Sequence, residues 1–250
     1  MNDYRALASV YDEFMGDVDF PAYARRYFEL LKKHGAAEKT VCDIACGTGN
    51  VSLGLVKAGL DLICVDRSPD MLSSLMNNFA AAGVPAPLVL CQDMTELDLY
   101  GTVGAFVCTL DGLNHVTDPK KLAEVFRLVS LFTEEPGVLI FDVNTEHKHR
   151  VSIGDSNFIY DADDAFAART TEYDEKTKIT RSRLDIFTRR ADGLWERGAD
   201  EVAERAYSLP ELEELARPYG LSLVEAFDDL SDRRPDENTD RILAVMRKTI

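Results

Sequence analysis

No run of apolar residues approaches the ~20 needed to cross a bilayer, and the opening MNDYRALASVYDEF has neither the basic start nor the apolar stretch of a secretory signal. The chain is therefore expected in the cytoplasm, with no membrane partner. Basic residues are scarce: 28 Lys and Arg face 44 Asp and Glu, a formal charge of -16. That balance repels phosphate backbones and anionic lipids, so a nucleic-acid partner would need a local basic patch. The cysteines do not form an even set. Cys42, Cys46, Cys64, Cys91 and Cys108 are five, four of them in apolar runs that read as buried strands, as expected of free thiols in a reducing compartment. Cys42 and Cys46 have no neighbouring His, so no metal is expected there. With 15 Gly and 9 Pro among 250 residues, and 46% of them hydrophobic, collagen-like and low-complexity chains are excluded. That length suits one sizeable core with an elaboration.

What is present is an alternation. Asp19 to His34 carries an N-cap candidate, an early Pro, apolar positions at Tyr23, Tyr27, Leu30 and Leu31, and Gly35 as a stop, which predicts a helix. Strand TVCDI then runs into a glycine loop and the helical VSLGLVKAG. Strand Leu62 to Asp66 follows, then a helix opened by Ser68 and Pro69 and closed by Gly83, strands 87–92 and 103–109, a helix from Asp118 and Pro119, and strand 137–143. Strands buried on both faces alternating with amphipathic helices predict a doubly wound, mostly parallel sheet. From Asn157 to Tyr207 the chain becomes rich in Thr, Arg and β-branched residues, with turn signals at 174–176 and 191–193. Two or three antiparallel strands, an inserted cap, are expected there. Ser208-Leu-Pro-Glu211 reads as a capping box, and two strands, 221–227 and 241–246, end the chain.

Three acidic residues close successive strands. Asp43-Ile-Ala45-Cys-Gly47-Thr-Gly49-Asn50 lies at the carboxyl end of the first strand, where open α/β sheets bind ligands. Its glycines let backbone pass close to a ligand, above the unpaired N–H groups of a helix start. Asp66 ends the second strand, where a carboxylate can accept both hydroxyls of a ribose, and Asp93 follows the third, where one can accept from an adenine amino group. Taken singly, each is as well explained as a helix cap or a solvated loop residue.

DIACGTGN, VDRSPDML and CQDM together resemble the three cofactor motifs of the class I S-adenosylmethionine-dependent methyltransferases. The resemblance implies a Rossmann-like seven-stranded sheet of order 3-2-1-4-5-7-6 with the last strand antiparallel. It divides the chain into a cofactor-binding domain, 1–145 and 208–250, and an inserted β-rich acceptor cap, 146–207. It also implies roles around S-adenosylmethionine. Asp43, Ala45 and Gly47, in the loop that Gly49 completes, take its methionine end; Asp66 takes the ribose; Arg67 and Met71 flank the adenine; Asp93 and the backbone of Met94 read the adenine edge. Tyr4, Tyr11 and Asp12 look like the segment that folds over the cofactor in small-molecule members, with Tyr11 favoured for its carboxylate.

The implied activity is methyl transfer to a small-molecule N or O nucleophile, such as an amino sugar or another metabolite. His115, after the fourth strand in TLDGLNH, is the candidate base, against the reading of a loop His without a chemical role; His147 and His149 are weaker. Arg181, Arg183, Arg189 and Arg190 form either a solvated face or a site for an anionic acceptor. The alternatives are a tRNA-modifying methyltransferase, a non-catalytic protein that binds the cofactor, and a nicotinamide dehydrogenase. The dehydrogenase lacks a second mononucleotide half after Val143.

Overall fold

The computed structural model describes residues 6–249. A seven-stranded sheet forms from β1 (Val41–Ile44), β2 (Leu62–Asp66), β3 (Leu88–Cys91), β4 (Val103–Cys108), β5 (Thr133–Asn144), β10 (Leu221–Asp228) and β11 (Arg241–Lys248). Its order is β10-β11-β5-β4-β1-β2-β3, with β11 antiparallel to both neighbours and the other pairings parallel. This is the order the resemblance implies.

The helices are α1 (Tyr11–Phe14), α2 (Phe20–Lys33), α3 (Asn50–Lys57), α4 (Pro69–Ala81), α5 (Pro119–Phe132) and α6 (Leu209–Ala216). Four of them start alike: the side chains of Asp19, Ser68, Asp118 and Ser208 accept from backbone N–H groups of the first turn, each with Pro at N1 or N2. Period-two alternation in the strands divides the core. Ala105 and Val107 of β4 face α2, α3 and α4, while Phe106 and Cys108 face α5 and α6. Each large side chain fully buried in these layers, Tyr27, Phe79 or Phe126 for instance, contributes about 1.5–3 kcal/mol.

Residues 157–205 form a separate antiparallel sheet of four strands, β6 (Asn157–Asp161), β7 (Ala165–Asp174), β8 (Ile179–Arg189) and β9 (Trp195–Arg205), one more than the upper expectation. The β6–β7 connection, Ala162-Asp-Asp164, lacks the glycine or proline that marks a turn in sequence. Leu7 and Val10 pack on Ala165, Ala167, Leu184 and Ile186 of this sheet, and Asp200 accepts from the N–H groups of Ala6 and Leu7. Tyr4 lies outside the described residues. β3 departs from the expected two-sided burial: Leu88 and Cys91 are exposed because the strand is the sheet's edge. The five cysteines are free, four buried and Cys91 exposed. Among the described residues no helix is long and apolar enough to cross a membrane.

Candidate functional site

The strand order reverses between β1 and β4, and a crevice opens at the carboxyl ends of the strands there, the place where such sheets take ligands. The loop after β1 forms its floor. Ala45 (φ 60°), Gly47 (φ 55°) and Gly49 (φ 76°) all adopt left-handed backbone. For Ala45 that conformation costs about 1–2 kcal/mol, strain of the kind stored at functional sites. A Cβ on Gly47 would meet nothing within 4 Å, so this glycine leaves space. Gly49 differs: a Cβ there would lie 2.5 Å from Leu75 Cγ, so its smallness serves the seating of α3 against α4, and it is outside the cavity lining.

Asp66 ties this loop to α4. Its Oδ2 accepts from Gly47 N (2.9 Å) and its Oδ1 from Ser68 N (2.8 Å), while burial pushes its carboxyl above the ordinary value. A carboxylate offers about four acceptor positions, so each oxygen keeps a lone pair for a ligand hydroxyl. Asp93 Oδ1 is committed to the N–H and hydroxyl of Thr95, capping the turn Met94–Glu96, and Oδ2 remains. Both carboxylates line the cavity, as do Tyr11, Ala45, Gly47, Arg67, Met71 and Met94. Asp43 sits behind this wall, fully buried, with Ser52 Oγ donating to its Oδ2 and Oδ1 unpartnered; burial pushes the carboxyl up to about 7. Asp12 accepts from Thr48, Asn50 and Asn78, fastening α1 over the loop so that Tyr11 closes one side. Hydroxyl acceptors, an apolar wall of Met71, Val51 and Met94, and a glycine-lined recess are what a nucleoside with an amino-acid tail requires.

His115 closes the far side. It ends the tight turn Gly112–His115, and it lines both the cavity and a second cleft of about 1010 Å³. Arg67, Asp93 and Val116 are the other residues common to the two spaces. The loop before it is held in left-handed backbone at Leu110 (φ 54°) and Asp111 (φ 59°). Asp142, fully buried, fixes it by accepting from Leu110 N (2.7 Å), Asp111 N (2.8 Å) and Tyr27 Oη (2.7 Å). The Arg241 guanidinium bridges Asp142 and Asp111 Oδ1. Asn114 pins the turn by donating to the carbonyls of Asn144 and Arg205. His115 Nε2 is 4.0 Å from Asp111 Oδ2, and the carboxylate of Glu204, on β9, lies within 4.8 Å of both groups.

The four arginines separate. Arg181 and Arg183 line the second cleft, in company with Glu172, Asp185 and Glu201, whereas Arg189 and Arg190 stand at the strand end beside Asp164 (3.7 Å) and Asp192 (2.9 Å). Arg181, Arg183 and Arg189 belong to β8, the third strand of that sheet and not the second, and Arg190 follows it. His147 Nδ1 is 2.9 Å from Asp240, and His149 is fully buried with Nδ1 2.7 Å from Thr180; neither lines the two spaces. The reading of motifs alone missed Asp111, Asp142, Glu204 and Arg241. A charged residue opening the apolar strand RILAVM was a signal for Arg241; Glu204 had none.

A family model described as a methyltransferase domain matches residues 41–131. The crystal structure of an S-adenosylmethionine-dependent methyltransferase from Clostridium acetobutylicum superposes with a TM-score of 0.86 at 28% identity, over 98% of this chain and 99% of that one. A glycine/sarcosine N-methyltransferase from Parasynechococcus marenigrum is 31% identical over 123 residues, 46% of this chain and 41% of that protein. The structure of a sugar N-methyltransferase from Streptoalloteichus sp. shares the fold, with a TM-score of 0.73 at 20% identity over 94% of this chain and 92% of the other.

Proposed function

We propose that this chain, a class I S-adenosylmethionine-dependent methyltransferase, transfers the methyl group to a nitrogen or oxygen of a small molecule seated in the second cleft, with His115 taking the proton that the acceptor loses. The observation that carries the reading is the position of His115 at the junction of the two spaces. The cleft volume of about 1010 Å³ lies at the upper end of small-molecule sites. The likeness of 123 residues of the chain to a glycine/sarcosine N-methyltransferase supports a small acceptor, and the charge of -16 supports one that is not a nucleic acid.

In this reading Asp66 accepts the ribose hydroxyls on the lone pairs its backbone bonds leave open. Arg67 and Met71 flank the adenine, and Asp93 with the Met94 backbone takes its edge. Ala45 and Gly47 serve the amino-acid end, Asp43 supports it from behind the loop through water, and Tyr11 covers its carboxylate. Segments 1–145 and 208–250 form the cofactor-binding domain, and 146–207 the acceptor cap. When bound, S-adenosylmethionine supplies a methyl on sulfonium, a leaving group that needs no acid. The protein's work is then positioning, exclusion of water and removal of one proton. The N–H or O–H proton of the acceptor passes to the imidazole of His115 as the acceptor's lone pair forms the new bond to carbon.

A screen of amine and hydroxyl metabolites with methyl-labelled cofactor tests this. His115→Ala is expected to lower turnover by about 10² or more while cofactor affinity stays within a few fold. A loss below threefold rejects His115 as the base. Tight cofactor binding with no transfer to any amine or hydroxyl turns the reading towards a protein that only senses the cofactor.

A further inference from the structure

The four-stranded sheet sends one carboxylate to the junction where His115 stands. Glu204 lies near the end of β9, is only 8% exposed, and has a carboxylate oxygen within 4.8 Å of a ring nitrogen of His115 and of a carboxylate oxygen of Asp111. On its other side His149 Nε2, fully buried and without a hydrogen-bond partner, is 4.0 Å from Glu204 Oε2, and His149 is itself braced by Thr180 of β8. A buried carboxylate beside two imidazoles, with no lysine or arginine in a direct ion pair with it among the described residues, is poorly explained as a fastening between strands.

The groups facing Glu204 come from several elements: Asp111 and His115 from the segment after β4, Lys148 and His149 from the π-helical turn Lys148–Ile153, Arg169 from β7, and Tyr11 from α1. Burial alone would raise its carboxyl, but His115 first, then Arg169, His149 and Lys148, outweigh burial and hold it below the ordinary value. Arg241 on Asp111 and the cations around Glu204 already supply the positive charge that a bound metal ion would otherwise bring to these carboxylates.

We propose that Glu204 is the positioning residue of His115: from the cap it orients the imidazole across the cleft and stabilises the imidazolium formed when His115 takes the acceptor's proton. The charge balance is complete, since the acceptor loses H⁺, the imidazole gains it, and the new positive charge faces an existing carboxylate. Asp111 braces the ring from the core domain and Glu204 from the cap, so the base is fully held only when the cap is in place. The inference rests on the reading of His115 as base.

The test pairs Glu204→Gln, which keeps size and hydrogen-bonding capacity but loses the charge, with Glu204→Asp, which keeps the charge. Histidine Cε1–H resonances of the full chain, assigned with His115→Asn, His147→Asn and His149→Asn, are followed through a pH titration that needs no acceptor. The midpoint of the His115 resonance is expected about one unit lower in Glu204→Gln than in wild type, as for loss of an opposite charge 4–6 Å away, and largely restored in Glu204→Asp. One unit corresponds to about tenfold, so turnover with an accepted metabolite should fall roughly tenfold in Glu204→Gln at unchanged KM for the cofactor. The same substitution should have no effect in a His115→Ala background. An unmoved resonance in a folded Glu204→Gln protein overturns the proposal. So does a shifted resonance with undiminished turnover while His115→Ala remains slow. If His115→Ala itself is as fast as wild type, the base assignment fails, and a shifted resonance would then show only that the two groups interact.

Discussion

Arg241→Met is expected to lose about 3–5 kcal/mol of stability in denaturant unfolding, the range for breaking a buried ion pair by removing one partner. Arg241 joins two carboxylates that the fold places together: Asp142, fully buried on β5, and Asp111, in the loop after β4. β11 lies beside β5 in the sheet, with Arg241 in register with Asn144, so the guanidinium arrives at the carboxyl edge. Met fills the volume of the stem but leaves the carboxylates facing each other without their ion-pair partner. The damage extends to function. The Asp142 carboxylate accepts from the N–H groups of Leu110 and Asp111, both in left-handed backbone, and that loop leads to His115. Turnover should therefore fall even at temperatures where the variant stays folded. A loss under 1 kcal/mol, with normal turnover, would show that the loop holds its shape without the arginine.

Gly47→Val should reduce affinity for S-adenosylmethionine by more than about 10², or some 2.7 kcal/mol. Its Cβ would project into space where no atom stands within 4 Å, in a residue that lines the cavity, and two γ-methyls extend further into the same space. The backbone at Gly47 has φ +55°, so valine carries an additional left-handed penalty of about 1–2 kcal/mol, and the unfolding temperature of the unliganded protein should fall by several degrees. The open space alone would have suggested an unchanged unfolding temperature; the backbone angle corrects that. Gly35→Val separates the two effects. Gly35 has φ +72°, no atom within 4 Å of its Cβ, and a place between α2 and β1, at the opposite edge of the sheet from the loop. It should show the same thermal cost and unaltered cofactor binding. Normal binding by Gly47→Val would reduce the loop to a structural turn.

The parts legible in the sequence were those written locally. Asp19, Ser68, Asp118 and Ser208, each followed by an early proline, announced four helices because capping is a contact within one turn. Strands β1, β2 and β4 announced themselves as apolar runs because both faces are covered. The glycine loop, Asp66 and Asp93 were legible as a set because they close successive strands of one sheet edge. Their secondary duties were not: Asp66 also anchors the Gly47 N–H, and Gly49 is small for the sake of Leu75. The four-stranded sheet was undercounted, since β6 and β7 meet at Ala162-Asp-Asp164 with no turn residue that requires unusual backbone. Least legible was the set around His115. Asp111, Asp142, Glu204 and Arg241 come from four separate segments and meet only through sheet order and the packing of one sheet above another.

The central claim is that the crevice between β1 and β4 holds S-adenosylmethionine through Asp66, and titration calorimetry tests it most directly. Wild-type protein is expected to bind S-adenosylmethionine and its demethylated product more tightly than NAD. Asp66→Ala should weaken both by roughly tenfold or more, about 1.5–3 kcal/mol for hydroxyls left without a charged acceptor. Undiminished binding by Asp66→Ala, or tighter binding of NAD than of S-adenosylmethionine, would contradict the account.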